Sequence, residues 1–130
     1  VSGEHRLARR RSVRLVELIE EPMIMLDVPP SRPYFTALLD GLGLQPHVGR
    51  TTHSFETLRS LVARNLGWAL LIQQPAVDLS YEGLALQPLR IADDLPTMPI
   101  VLARADGARL SRRAEAFRAL CRETVGGVTP

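Results

Sequence analysis

The sequence predicts an α/β protein: a central, mostly parallel sheet flanked by helices. Three observations predict it. The passage TTHSFETLRSLVARNLGWALL, from Thr51 to Leu71, reads as a capped amphipathic helix, a stop and then a buried strand. An uninterrupted apolar run such as Trp68 to Ile72 suits a strand covered on both faces, as in α/β layers. The stretch from Met23 to Thr51 repeats the pattern as strand, helix, strand. Finally, 130 residues with 45% apolar and 23% charged side chains have the size and balance of one ordinary domain. Such a chain buries a core without disulfides or a metal.

The elements follow in order. Residues 1–14 are polar and basic and read as a solvated connecting segment. Residues 13–20, VRLVELIE, read as a short helix that stops at Glu21-Pro22. Met23 to Leu26 form a buried strand, closed by Asp27 and the turn residues Pro29 and Pro30. Ser31 is expected to cap the next helix, with Pro33 tolerated in its first turn. Tyr34, Phe35, Leu38, Leu39 and Leu42 form its buried face, and Gly41 and Gly43 end it. His47 to Thr51 form a second strand. Ser54 caps the second helix, and Phe55, Leu58, Leu61 and Val62 make its stripe. Asn65 and Gly67 tolerate the geometry that ends it.

Gln73 to Gly83 read as a polar loop. Leu84 to Ile91 suggest an extended segment at an edge or with a bulge, because Pro88 removes a ladder donor. Pro99 to Ala103 form a strand, and Ala105-Asp106-Gly107 a turn. Ser111 caps a last helix whose buried face is Ala114, Phe117, Leu120, Cys121 and Val125. Gly126-Gly127 end it, and a frayed tail is expected.

Charge and composition exclude several functions. The net charge of +2 is too small for a polyelectrolyte binder. Arg6, Arg9, Arg10, Arg11 and Arg14 cluster near the start, but no aromatic residue is interleaved to stack on bases. One cysteine, Cys121, excludes an internal disulfide, and its place on an apolar stripe reads as a small buried hydrophobe. No apolar run reaches the ~18 residues of a membrane span, and the N-terminus lacks a secretory apolar core. A cytoplasmic protein is expected. The first residue is not Met, as expected of a piece cut from something longer.

No enzyme constellation is visible. His5, His47 and His53 lack partners at metal-ligand spacing, so neither a metal nor a cofactor is expected. There is no G-x-S-x-G elbow, and Ser31, Ser54 and Ser111 are explained as helix caps. Asp27 closes a strand, a place for a catalytic carboxylate, but no second acid accompanies it. Asp93 and Asp94 read as a solvated loop pair. What remains is binding geometry. Helices starting at Ser31 and Ser54 follow directly after strands, so their free amides face one rim of the sheet. That rim suits a carboxylate or another small anion. Capping with no ligand at all suits the same residues.

Four passages resemble the C-terminal part of LysR-type transcriptional regulators. EHRLARRRSVRLVEL resembles the family's H-P-L-A segment, with Arg6 in place of proline. EPMIMLD resembles the strand entering the second effector-binding subdomain. LVARNLGWALL resembles the L-V-x-x-G-x-G-i-a-l-l-P signature, with Asn65 where the family has glycine and Ile72-Gln73 where it often has Leu-Pro. MPIVLARADGARLSRRAEAFRALC resembles the returning strand and closing helix.

The resemblance implies a Rossmann-like lobe of a type II periplasmic-binding-protein fold. Residues 1–21 would connect from a first lobe, 22–98 would be the second lobe, and 99–130 a crossover strand and closing helix. It implies a regulator that holds a small-molecule effector, with an anion among the candidates, between two lobes and is not an enzyme. By position, the contacts from this lobe fall on Pro30, Ser31, Arg32, Thr51, Thr52, His53 and Met98. Arg32 would pair with an anionic effector. DNA would be bound only through an N-terminal helix-turn-helix outside this chain. The full-length protein would be a homodimer or homotetramer, with helix 32–42 packing on a first lobe of the antiparallel dimer; no membrane is involved. Two other readings are a lobe of a solute-binding protein and a small α/β enzyme using Asp27 and a histidine.

Overall fold

The computed structural model describes residues 1–73, 75–96 and 101–125. The chain divides into two units, Val1–Pro96 and Thr97–Pro130. In the first, the central strand is β2 (Met23–Leu26), and all four of its side chains are buried. Successive side chains of a strand point to opposite faces. Met23 and Met25 accordingly pack with Phe35, Leu38 and Leu39 of α1 (Ser31–Gly41). Ile24 and Leu26 pack with Leu58 and Val62 of α2 (Phe55–Ala63). β3 (Val48–Thr52) lies parallel to β2, with Met25 opposite Thr51 and Leu26 opposite Thr52. Trp68 lies along the other edge of β2, where its carbonyl accepts the Ile24 N–H at 2.8 Å. The chain thus steps from β2 outward through α1 and back past β2 through α2. Right-handed crossovers in opposite directions place their helices on opposite faces.

Helix ends follow the local chemistry. Ser54 caps α2, its Oγ accepting the Thr57 N–H at 3.2 Å. Asn65 takes φ +58° beyond that helix, as its type allows. At the end of α1 the Leu44 N–H reaches Leu39 O and the Gly43 N–H reaches Asp40 O, both at 2.9 Å. This pair of bonds satisfies the last carbonyls of the helix.

Two expectations here are corrected. Ser31 does not cap α1. The cap residue is Pro30 and Ser31 is already helical, because the Arg32 N–H donates to Val28 O at 3.3 Å and the Tyr34 N–H to Pro30 O at 3.1 Å. The strand Trp68–Ile72 shrinks to a single bridge between Trp68 and Met23. Its side-chain alternation survives: Trp68 and Leu70 join the α1 cluster, Ala69 and Leu71 the α2 cluster. An apolar pattern reports burial and not ladder hydrogen bonds, so the burial was legible and the pairing was not.

The N-terminal segment is docked, contrary to the solvated segment expected. Leu7 belongs to the main core, and Ser2 and His5 are buried. Ser2 donates its hydroxyl to Ala63 O at 3.0 Å. The His5 Nδ1 accepts the Leu7 N–H at 3.1 Å, so Nε2 carries the proton donated to Glu21 Oε2 at 2.6 Å. Arg6 donates Nε–H to Glu21 Oε1 at 2.7 Å. The helix expected over 13–20 is only a 3-10 turn, Leu15–Leu18. Residue Val13 is committed instead to β1 (Ser12–Val13), which pairs in parallel with β4 (Arg90–Ile91). Before β4, Leu86 bridges Ser2 and the Gln87 N–H donates to Val1 O at 2.8 Å. Pro88 interrupts the extended run between these contacts, as expected.

Docking of this segment is expected to depend on acid. Burial pushes the Glu21 carboxyl up, but hydrogen bonds and charge from His5 and Arg6 outweigh it and hold it below its ordinary 4.5. The Glu17 carboxyl is also held down, foremost by the Arg14 N–H. In the unfolded chain both carboxyls bind protons more readily, so their stabilisation is complete above that range. It is lost as pH falls through the lower, folded values. Protection of the Leu7 amide against hydrogen exchange should decline as pH falls below about 4. Protection independent of pH down to global unfolding would refute this.

In the second unit, α3 spans Arg112–Val125, and Ser111 Oγ accepts the Ala114 N–H at 3.2 Å as expected. The face expected to be buried is not. Phe117 is 58% and Leu120 59% exposed, while Cys121 is half-buried. Amphipathic spacing identifies a face suited to burial but supplies no partner for it. Of the strand expected over Pro99 to Ala103, the described part, Val101 to Ala103, is not in a strand. An isolated strand has no ladder to join. Pro99 and Ile100, the Val125 side chain and the Gly126-Gly127 ending lie outside the described residues.

Candidate functional site

β2 and β3 are parallel, so their carboxyl ends open on the same rim. Ligands of open α/β sheets bind at such rims. The Asp27 N–H donates to Thr52 O at 2.8 Å, which extends the β2–β3 pairing by one residue. Asp27 therefore stands at the very end of the sheet. Its Oδ2 accepts from Arg32 Nη1 at 2.6 Å and lies 4.0 Å from His53 Nε2. The Asp27 side chain remains 29% exposed.

The residues singled out from the sequence take different positions around this acid. Arg32 and His53 meet through Asp27, from the starts of α1 and α2. Thr52 supplies the carbonyl that holds the Asp27 backbone, and its Oγ1 accepts the Ser54 N–H at 3.1 Å. Its side chain is thereby a local brace before α2. Pro30, Ser31 and Thr51 make no side-chain hydrogen bond among the described residues; Pro30 and Thr51 are exposed and Ser31 is half-buried. Met98 lies outside the described residues. The start of α1 has fewer free amides than expected. Arg32 has already donated its N–H and Pro33 has none, which leaves that of Ser31.

Sequence reasoning missed the centrality of Asp27. An acid five residues before an arginine carries no regular helical or strand spacing, so pattern reading had no rule for it. A second feature was also missed. A cavity of about 430 Å³ lies within the first unit, bordered by Trp68, Leu70, Ile72, Leu86 and Leu89. Arg59 reaches its wall but is committed, donating to Val77 O at 2.7 Å and also to Leu79 O. Among the described residues no cluster of His, Cys, Asp and Glu could hold a metal ion. None of their helices is long and apolar enough to cross a membrane.

Residues 1–126 match the family model for the LysR substrate binding domain. The chain belongs to that family. Solved LysR structures agree. HinK, a LysR family transcriptional regulator from Pseudomonas aeruginosa, superposes with a TM-score of 0.87 at 34% identity, over 96% of this chain and 43% of its own. The C-terminal domain of a LysR family regulator from Rhodococcus sp. RHA1 gives a TM-score of 0.77 at 39% identity, over 92% of this chain and 60% of its own. The HTH-type transcriptional regulator TtuA of Agrobacterium vitis is 30% identical over 104 residues, which are 78% of this chain and 34% of that protein. The chain therefore spans about a third of the curated relative's length. The fold is that of the LysR substrate-binding domain, a type II periplasmic-binding-protein architecture. This is the effector-binding domain of transcriptional regulators and not an enzyme family.

Proposed function

We propose that residues 22–98 form the second lobe of a small-molecule sensor within a LysR-type transcriptional regulator. Residues 1–21 join it to a first lobe, and 99–130 return toward that lobe. The observation that carries this reading is the family match over residues 1–126, with the β2–β3 rim supplying a polar surface where such sheets bind ligands. The effector lies between the lobes against Pro30, Ser31, Arg32, Thr51, Thr52, His53 and Met98. It is a small molecule with an anionic group, and no metal or cofactor takes part. Effector binding shifts the population of lobe closures. In a homodimer or homotetramer, that shift changes how N-terminal helix-turn-helix domains are presented to DNA. No turnover of the effector is expected.

A thermal-shift screen of small carboxylates and aromatic acids on the two-lobed protein tests this. A ligand present at about 100 times its Kd stabilises the folded state by about 2.7 kcal/mol, which raises Tm by several degrees. Absence of any shift across such a screen would remove the sensing role. Enzymatic consumption of a hit would instead favour the small α/β enzyme.

A further inference from the structure

Among the described residues Asp27 pairs with no second acid, but Arg32 and His53 stand beside it. The Asp27 backbone, one residue beyond β2, is held by the bond to Thr52 O, so the carboxylate projects from the end of the sheet. Only Oδ2 is engaged, by Arg32 Nη1 at 2.6 Å, with His53 Nε2 at 4.0 Å. Among the described residues Oδ1 accepts no hydrogen bond, and the Nε and Nη2 groups of Arg32 donate none. Both side chains keep solvent access, Asp27 at 29% and Arg32 at 54%. The rim therefore presents an open carboxylate oxygen beside open guanidinium donors.

That pairing constrains what binds. A bare carboxylate approaching Arg32 meets the Asp27 charge and competes with it for the same guanidinium. A carboxylate with a neighbouring hydrogen-bond donor meets no such conflict. Its own charge takes the remaining Arg32 N–H groups, and its donor takes the open Asp27 oxygen. We infer that Asp27 sets the selectivity of this rim, and that the effector is a carboxylate bearing a hydroxyl or ammonium donor beside the acid group. The inference rests on the sensing role proposed above and adds the ligand class.

The test uses the two-lobed protein and two matched series of probes. One is propionate, lactate and alanine; the other is 3-phenylpropionate, 3-phenyllactate and phenylalanine. Each series keeps one carbon frame and changes only the substituent beside the carboxylate. Titration calorimetry should show a donor-bearing member binding about tenfold or more tighter than its parent acid. In Asp27→Asn that preference should collapse. The parent acid should tighten by about tenfold as Arg32 is released, and an ammonium member should weaken by a similar factor. A hydroxyl member should keep most of its affinity, because the amide oxygen of asparagine still accepts; this separates the two donors.

Arg32→Gln is the companion variant and carries the test if Asp27→Asn fails to fold. It should weaken every acid and widen the preference for an ammonium member, the opposite direction. Equal affinities within both series, or ratios unchanged by either variant, would overturn the role of Asp27. The same holds if none of the six probes binds while the broader screen yields a ligand without such a donor. A screen with no ligand at all would instead remove the sensing role itself.

Discussion

Gly67→Ala is expected to destabilise the first unit by about 3 kcal/mol or more, enough to leave a marginal fold largely unfolded. Two physical reasons coincide. Gly67 holds φ +148°, a backbone region nearly closed to residues with a Cβ. A Cβ there would also drive into the carbonyl oxygen of Pro22 and meet Ile24 Cγ1 at 3.2 Å. Neither neighbour yields easily. Pro22 O accepts the Trp68 N–H at 3.1 Å, and Ile24 lies in the core between β2 and α2. Gly41 provides the contrast. It sits in the last turn of α1 with nothing within 4 Å of a Cβ. Gly41→Ala should therefore stabilise by about 0.5–1 kcal/mol, since alanine restricts the unfolded chain and suits a helix. Urea unfolding followed by the fluorescence of the single tryptophan measures both. Equal midpoints for the two variants would contradict the reading.

The contrast shows what kind of structure was legible in the residues. α2 was readable because cap, stripe and stop all agree over Ser54 to Gly67. β2 was readable because four apolar residues between Pro22 and Asp27 have only one economical burial. The docking of residues 1–10 was not readable. Ser2 and His5 are polar, and polar residues are normally exposed. They are buried here only because Ala63 O and Glu21 meet their hydrogen bonds across 61 and 16 residues of sequence. Such partners exist only after the chain has folded. α3 fails in the opposite sense. Phe117 and Leu120 give a proper apolar stripe, but periodicity cannot say what covers it.

The candidate site divides along the same line. The location proposed for it was readable from strand order alone, which directs attention to the ends of β2 and β3. Its chemistry was not. The sequence suggests Arg32 as a cation awaiting an anion. In the structure that anion is already present as Asp27, brought within 2.6 Å by a turn whose geometry no periodic rule describes. A rim that looks cationic by composition is therefore close to neutral. On the ligand class inferred above the difference matters, since a neutral, bipolar rim would discriminate among acids where a cationic one would accept any.

Trp68→Ala is the second large expected effect, about 3–5 kcal/mol of lost stability. Trp68 is 1% exposed and packs in the core with Met23, Met25 and the buried face of α1. Removing the indole leaves a void that the Trp68 backbone cannot shift to fill, because its O and N–H are tied to Ile24 and Pro22. Its ring nitrogen adds a second constraint, donating to Glu21 O at 3.0 Å. Trp68→Phe keeps most of the apolar volume and removes that donor. It should cost about 1–3 kcal/mol, from a smaller cavity and one lost hydrogen bond. The same Glu21 holds His5 and Arg6 through its side chain. The donor loss should therefore also weaken docking of the N-terminal segment, which joins the two lobes in the proposed regulator. Reduced protection of the Leu7 amide in Trp68→Phe, beyond the change in global stability, would show that coupling. Protection falling only in step with global stability would mean that the indole fills the core and does nothing for the connecting segment.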